Sequence, residues 1–555
     1  MTARFFTHLA LSSAAAFALY ACLPAGDGVE PPDQVSYFPV GLSVDPTSRW
    51  LYVVNSDFDL QYNQGTVQSL SLERIRQVAR RPCSRDADCA DAPTGVAQRC
   101  DNQPGDANDQ NPSFFCVDVD GEHADLPCGP FPENTPSSRA VSPGRCGPID
   151  LIEPVDGGGS LQRDAVRISA FATDLLLVPR PTESSEPSTE SRLFIPVRGD
   201  SSLHYIDTRD GEFECEQNED KQCSTHYRVK SSPTQDPDDA LDTPVEPYGI
   251  AATADGMGVV MSHQVNGRAS AFRNSWTTES DGLPTPPKLV SVAENMPSAM
   301  IGIANIPTPR VIELDPSRPN YQAGFLVTFR NDASVHLLRF FADYGLDGAG
   351  GASDDDRQLL FDVARSPVTT NASGVDSRGI AIDDTKRRAA ELACGDDLDC
   401  LAEASTIPFD VYVANRSPNS LLIGRTDPVD STVGGSDLPS FHDNIPLTTG
   451  PSRVIIGRVL DAQGQWARRV FVLCFDSAVI YVYDPERRTV EAEIFTGRGP
   501  HSLAFLPPSS DLPVAFVGHF SDSYVAAVSL DQRHPETFGS TLAILGTPKP
   551  PRAAR

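Results

Sequence analysis

Ten side chains able to hold an anion or move a proton recur in this 555-residue sequence at matching places beside short apolar runs. His263, Arg330, Asp332, Arg416, Asp476, His519 and Asp522 follow the end of such a run, while Arg378, Arg453 and His501 sit where another kind of run opens. An imidazole whose pKa lies near the working pH can transfer a proton, and a guanidinium can hold a carboxylate or steady a developing oxyanion. Brought to one face, these groups would mix cations, carboxylates and imidazoles on a single surface. Each also has a structural use. Asp332, Asp476 and Asp522 suit turns, where a carboxylate accepts backbone N–H groups. Arg378 and Arg453 can lie along an apolar strand or pair with turn carboxylates. His263 and His519 fit polar rim positions better than a metal pair. There is no His-x-x-x-His, His-Glu-x-x-His or calcium-loop spacing, no Gly-x-Ser-x-Gly elbow, and no glycine-rich loop in the strand-to-helix setting that cradles phosphate. No cofactor is expected from these patterns.

The elements that would carry these residues repeat. A Pro- or Ser-led apolar strand, a turn, a stronger strand ending in a polar loop, and then two further strands begin at Phe38, Pro247, Ser377, Pro451 and Pro500, with weaker copies around Leu175 and Met300. The second strands of the five clear copies are Trp50 to Asn55, Met257 to Ser262, Asp410 to Ala414, Arg469 to Phe475 and Leu512 to Val517. Seven such units, with short β-branched runs and frequent Gly and Pro, predict an all-β fold, a seven-bladed β-propeller spanning 35–547. Helical periodicity is confined to Ser71 to Arg80 and Asp384 to Leu392. In a ring of blades, the loops after second strands and the entries to innermost strands share one face, and this puts all ten residues on a single surface. Thr541 to Leu545 would finish the seventh blade beside the first. The excess length falls in loops: a cysteine-rich insertion at 81–148 and polar or acidic stretches at 208–246, 342–359 and 384–403.

The strand endings Leu51-Tyr52-Val53-Val54-Asn55 and Val411-Tyr412-Val413-Ala414-Asn415, with the glycine- or proline-led inner strands, resemble the bacterial surface propellers with Tyr-Val-Thr-Asn-type repeats. Phe194-Ile195-Pro196-Val197 and Val514-Ala515-Phe516-Val517-Gly518 depart from that pattern. Pro500-His501 before an apolar strand is similar to the Pro-His opening in propeller lactonases. That likeness implies proton transfer by His501 at a sugar-lactone carbonyl, with Arg453 or Arg378 on the oxyanion. The glutamate such a site would also use has no clear counterpart at a matching entry loop.

The N-terminal residues read as export machinery. Arg4 precedes the apolar stretch Leu9 to Ala21, which is too short to span a bilayer as a helix and has the length of a signal-peptide core, so 1–21 reads as a signal peptide. Leu19-Tyr20-Ala21-Cys22 resembles a bacterial lipobox, which implies lipidation of Cys22, a tether over 22–34 and residence in the cell envelope as an outer-membrane lipoprotein. The other cysteines fit an oxidising compartment. Cys215 with Cys223 and Cys394 with Cys400 form two local pairs, and Cys83, Cys89, Cys100, Cys116, Cys128 and Cys146 form a cluster whose fifteen pairings stay open. Cys474, within an apolar run, reads as a buried thiol. The formal net charge of -30 repels a nucleic-acid backbone and is compatible with calcium, for which Asp86, Asp88, Asp91, Asp118 and Asp120 are candidates in the insertion. The expected function is an envelope-anchored scaffold that binds an envelope protein or surface polymer, with small-molecule binding or lactonase-like hydrolysis as the alternative. Residues 548–555 form a C-terminal tail.

Overall fold

In the computed structural model seven antiparallel sheets, each built from four consecutive ring strands, stand around one axis. The structure describes residues 29–90, 97–101, 114–118, 148–154, 158–182, 186–231, 241–314, 322–341, 359–368, 375–426, 437–507, 510 and 512–548. Residues 1–21, expected to be a signal peptide, and Cys22, Cys128, Cys146, Asp91 and Asp120 lie outside these residues, as does the side chain of Asp118. The innermost strands are Pro39–Val44, Leu176–Pro179, Pro247–Ala252, Met300–Asn305, Ser377–Asp383, Pro451–Leu460 and Pro500–Phe505, which open blades 1 to 7 in chain order. The chain is an all-β, seven-bladed propeller whose loops are stapled by disulfides.

Why the second strands read as unbroken apolar runs is clear in Trp50–Asn55 of blade 1. Successive side chains of a strand point to opposite faces. Tyr52 and Val54 pack with Leu193 and Phe194 of blade 2, whereas Leu51 and Val53 pack with Phe516 and Ala543 of blade 7. Both faces of the blade are therefore buried, so no polar alternation is tolerated. Each side chain of this kind contributes roughly 1.5–3 kcal/mol when fully buried.

Ring closure is made by contiguous C-terminal strands, because blade 7 takes all four of its ring strands from Pro500–Phe505, Val514–His519, Tyr524–Ser529 and Thr541–Leu545. The last of these is the outer strand of its blade, and its free edge pairs in parallel with Pro148–Ile149, the end of the insertion. Blade 1 in turn completes itself with Gln162–Ile168, so the insertion separates its third and fourth strands. Among the described residues of the insertion, the disulfides Cys83–Cys100 and Cys89–Cys116 enclose a short ladder between Gln98–Cys100 and Cys116–Asp118. Their four cysteines form a buried cluster of their own, which substitutes for a core the segment is too small to build. Cys215–Cys223 and Cys394–Cys400 close the two local staples, and Cys474 is a buried free thiol whose pKa burial pushes up to about 11. Among the described residues the α-helices are Leu72–Val78, capped by the Ser71 hydroxyl, and Thr385–Cys394, both in stretches with helical periodicity, together with Arg310–Leu314 and Leu398–Ala404, which lie outside them.

Candidate functional site

The start of nearly every innermost strand is bulged. The ladder to the second strand skips between Pro39 and Gly41, Pro247 and Ile250, Met300 and Ile303, Ser377 and Ile380, Pro451 and Arg453, and Pro500 and Ser502. A bulge leaves its extra residues unpaired and re-aims their side chains. The skipped residues include Val40, Tyr248, Ile301, Arg378, Ser452 and His501, and every one of them lines a central cavity of about 490 Å³. Glycine in the bulge lets neighbouring innermost strands approach. A Cβ at Gly302 would stand 2.2 Å from the Arg378 carbonyl oxygen, and one at Gly379 would stand 2.7 Å from Arg453 Cα. The glycine-led strand openings are therefore the packing condition for a narrow axis.

Two kinds of wall enclose the cavity. Arg198, Arg330, Arg378, Arg416 and Arg453 supply five guanidiniums, and Phe58, Phe171, Phe475 and Phe520 supply an aromatic arc. The ring centroids of Phe58 lie 5.8 Å from Phe171 and 5.3 Å from Phe520, and Phe520 lies 5.8 Å from Phe475. Carboxylates offset most of the positive charge. Arg453 Nη1 meets both oxygens of Asp174, at 3.1 and 3.2 Å, and Arg416 Nη1 lies 3.4 Å from Asp476. Arg198 pairs with Glu246, while Arg378 and Arg330 share Asp376. Five cations against four anions leave one positive charge, in a chain whose net charge is -30. Burial and the neighbouring Arg378 lower the pKa of Arg416, a sign that like charges are crowded here.

His501 stands against this aromatic arc, 5.7 Å from Phe520. Its Nδ1 faces the Val40 carbonyl at 3.1 Å, so that nitrogen carries the proton and Nε2 is left as an acceptor. Enclosure, followed by the charge of Arg453, pushes its pKa down to about 3. A neutral imidazole so weakly basic is a poor proton acceptor at neutral pH.

The chain matches no protein-family model and no curated protein. Solved structures are similar in outline. A protein from Lactobacillus plantarum matches at 10% identity over 84% of this chain and 86% of its own, with a TM-score of 0.41. Saccharomyces cerevisiae Sqt1 matches at 6% identity over 95% and 93%, with a TM-score of 0.41, and the periplasmic gluconolactonase PpgL of Pseudomonas aeruginosa at 15% over 75% and 71%, with a TM-score of 0.32. At such values the likenesses carry no argument about this chain's ligand or chemistry.

Of the ten residues singled out from the sequence, Arg330, Arg378, Arg416, Arg453, Asp476 and His501 come together in the cavity. The other four do not. His263 and His519, expected on the rim, are fully buried inside blades 3 and 7. His263 Nε2 bonds the Ser270 hydroxyl at 2.7 Å, and His519 bonds Thr496 and stacks on Tyr524 at 4.3 Å. Each ends its second strand at a position that faces the next strand instead of the axis. Asp522 is buried and accepts from the Arg498 backbone N–H and Nε, both at 2.7 Å. Asp332 accepts from the Ser334 hydroxyl in its own turn.

That turn looks catalytic at first sight, because His336 Nδ1 lies 2.8 Å from Asp362 and its Nε2 lies 3.0 Å from Ser334 Oγ. The same Asp-x-Ser-x-His spacing recurs in blade 2 as Asp200, Ser202 and His204, where the hydroxyl again bonds the aspartate. Recurrence at the same turn of two blades marks a polar network that ties the turn to the third strand. In blade 4 it also holds the Ser334 hydroxyl against Asp332.

Among the described residues one group of three possible metal ligands is close enough to share an ion: Cys83, Cys89 and Cys116, whose sulfurs belong to disulfides. Asp86 and Asp88 of the proposed calcium set are committed to the Cys100 and Ser84 backbone N–H groups.

Sequence reasoning missed Arg198, Asp174 and the aromatic arc. Arg198 directly follows the second strand Glu190–Val197, as Arg330 follows Ala323–Phe329, so its signal was positional and hidden by the weak repeat in blade 2. Phe475 and Phe520 follow second strands in the same way but were passed over because they carry no charge.

Proposed function

We propose that this chain is an exported propeller, anchored to the bacterial envelope through lipid at Cys22, that holds a small acidic molecule in its central cavity without transforming it. The observation that carries the reading is the convergence of five arginines and His501, drawn from blades 2, 4, 5, 6 and 7, on one cavity with a residual positive charge. A guanidinium cluster held by backbone and carboxylate partners is pre-organised for a carboxylate or phosphate head. Support for binding over hydrolysis comes from the depressed basicity of His501 and from the commitment of Asp174 and Asp476 to arginines. Among the described lining residues there is no glutamate to serve as a general base. The sequence resemblance at Leu19 to Cys22 supports the anchor. The macromolecular scaffold that the sequence put first becomes the second reading, favoured by the stapled insertion that seats Pro148–Ile149 on the outer edge of blade 7.

Mass spectrometry of small molecules released on denaturing the purified protein tests the main reading. A retained acid that is lost from Arg378→Ala is the expected result. Turnover of lactones by the wild type, abolished in His501→Ala, would replace binding with hydrolysis. Metabolic lipid labelling that is equal in wild type and Cys22→Ala would remove the anchor.

A further inference from the structure

We infer that the ligand of the central cavity is a monocarboxylate with an apolar, ring-sized body, a reading that rests on the cavity being a binding site. The two walls are segregated around the ring. Arg198 and Arg453, on blades 2 and 6, are each matched by a carboxylate of their own, Glu246 and Asp174; the less balanced Arg330, Arg378 and Arg416 come from blades 4 and 5, whereas Phe171, Phe58, Phe520 and Phe475 come from blades 2, 1, 7 and 6. A ligand that touches both walls must itself be two-sided. Its head faces the point where charge is least balanced: Arg330 and Arg378 have only Asp376 between them, and Arg378 crowds Arg416. One further carboxylate satisfies that surplus, because planar guanidinium and carboxylate groups pair through two parallel hydrogen bonds. A dianionic phosphate would bring more charge than the single uncompensated cation and would face Asp174, Asp376 and Asp476 as well.

The body faces the aromatic arc. Phe58 is 48% exposed, an unusual state for a phenylalanine that already packs edge-to-face on Phe171 and Phe520, and its open face borders the cavity. Aromatic rings in such edge-to-face or offset contacts gain about 0.5–1.5 kcal/mol beyond the area they bury. A sugar acid would turn several hydroxyls toward four rings that offer no donor or acceptor. A ring-bearing acid of modest size uses both walls and fits a cavity of about 490 Å³.

Calorimetric titration of the purified full chain with 3-phenylpropionate, 3-phenylpropanol, acetate and gluconate tests the assignment. Phenylpropionate should bind at least about tenfold more tightly than the alcohol, which lacks the head, and than acetate, which lacks the body. Arg330→Ala and Phe58→Ala, both at exposed side chains whose loss leaves the core intact, should each weaken it by about tenfold, with unchanged thermal unfolding. Gluconate binding more tightly than phenylpropionate would overturn the amphiphilic ligand while keeping the cavity as an acid site. Phenylpropionate binding that neither variant weakens would place it elsewhere and also overturn the inference. No heat with any of the four would overturn both readings.

Discussion

Arg453 of blade 6 and Asp174 of blade 2 meet across the axis of the ring, with Nη1 at 3.1 and 3.2 Å from the two carboxylate oxygens. Blade-to-blade packing joins only neighbours, so this pair, which lines the cavity, supplies a tie between units that share no sheet face. Removing one partner of a buried pair costs about 3–5 kcal/mol, and removing an exposed one about 0–1. With side chains 24% and 15% exposed, Arg453→Met or Asp174→Leu should each cost about 2 kcal/mol in urea unfolding. The double variant should recover part of that loss. Strict additivity of the two single losses would mean that the pair contributes no coupling.

Acid should unfold this protein earlier than its carboxylates alone would require. His263 is pushed down to about 4, and His501 and His519 to about 3, in each case first by burial. All three are ordinary imidazoles near 6.5 once unfolded. Between about pH 6.5 and 4 the unfolded chain therefore binds protons that the folded chain refuses, and stability falls as pH falls, by about 1.4 kcal/mol per pH unit for each histidine. His519→Gln should flatten the stability profile by one proton in that window. An unchanged slope from pH 6.5 to 4 would show that His519 titrates normally in the fold.

How much of this was legible in the sequence depended on what each signal measures. The seven units were readable because both faces of each blade are buried, which turns second strands such as Val411 to Ala414 into unbroken apolar runs, and because the bulged openings need Gly or Pro at fixed places. Arg378, Arg453 and His501 were readable by position at those openings. Whether a residue one step along points to the axis or into the blade depends on register, and a shift of one residue reverses it. Hence Arg416, which still ends its second strand, reaches the cavity, whereas His263 and His519 turn inward. Disulfide pairing in the cluster was unreadable because six cysteines at irregular spacing carry no distance information.

The Cys215–Cys223 staple holds the edge of blade 2, where Cys215 is buried against the core that includes Tyr205 and Phe213. Closing a loop of about eight residues contributes about 2.5 kcal/mol on the chain-entropy account. Cys215→Ser with Cys223→Ser should lower thermal stability accordingly and speed amide exchange along Glu212–Glu214 and Arg228–Val229 before the rest of the ring opens. Uniform acceleration across all blades would instead make the staple a global determinant.

Asp57 gives the opposite pH signature and an opportunity to stabilise the fold. It is 2% exposed, its Oδ1 accepts the Tyr62 N–H at 3.1 Å, and its Oδ2 has no hydrogen-bond partner. Burial, reinforced by the nearby Asp59 charge, raises its pKa from 3.8 to about 8. The folded protein thus keeps a proton that the unfolded chain has released. Stability from this group is complete below about pH 3.8 and declines as pH rises to about 8, because ionising the carboxyl in place is disfavoured. Asparagine preserves the acceptor for Tyr62 and tolerates the left-handed backbone here, φ 51°, while removing the ionisable proton. Asp57→Asn should therefore match wild type in thermal unfolding near pH 4 and exceed it at pH 8, by on the order of 2 kcal/mol. A gain of equal size at both pH values would assign the effect to the turn and not to the charge.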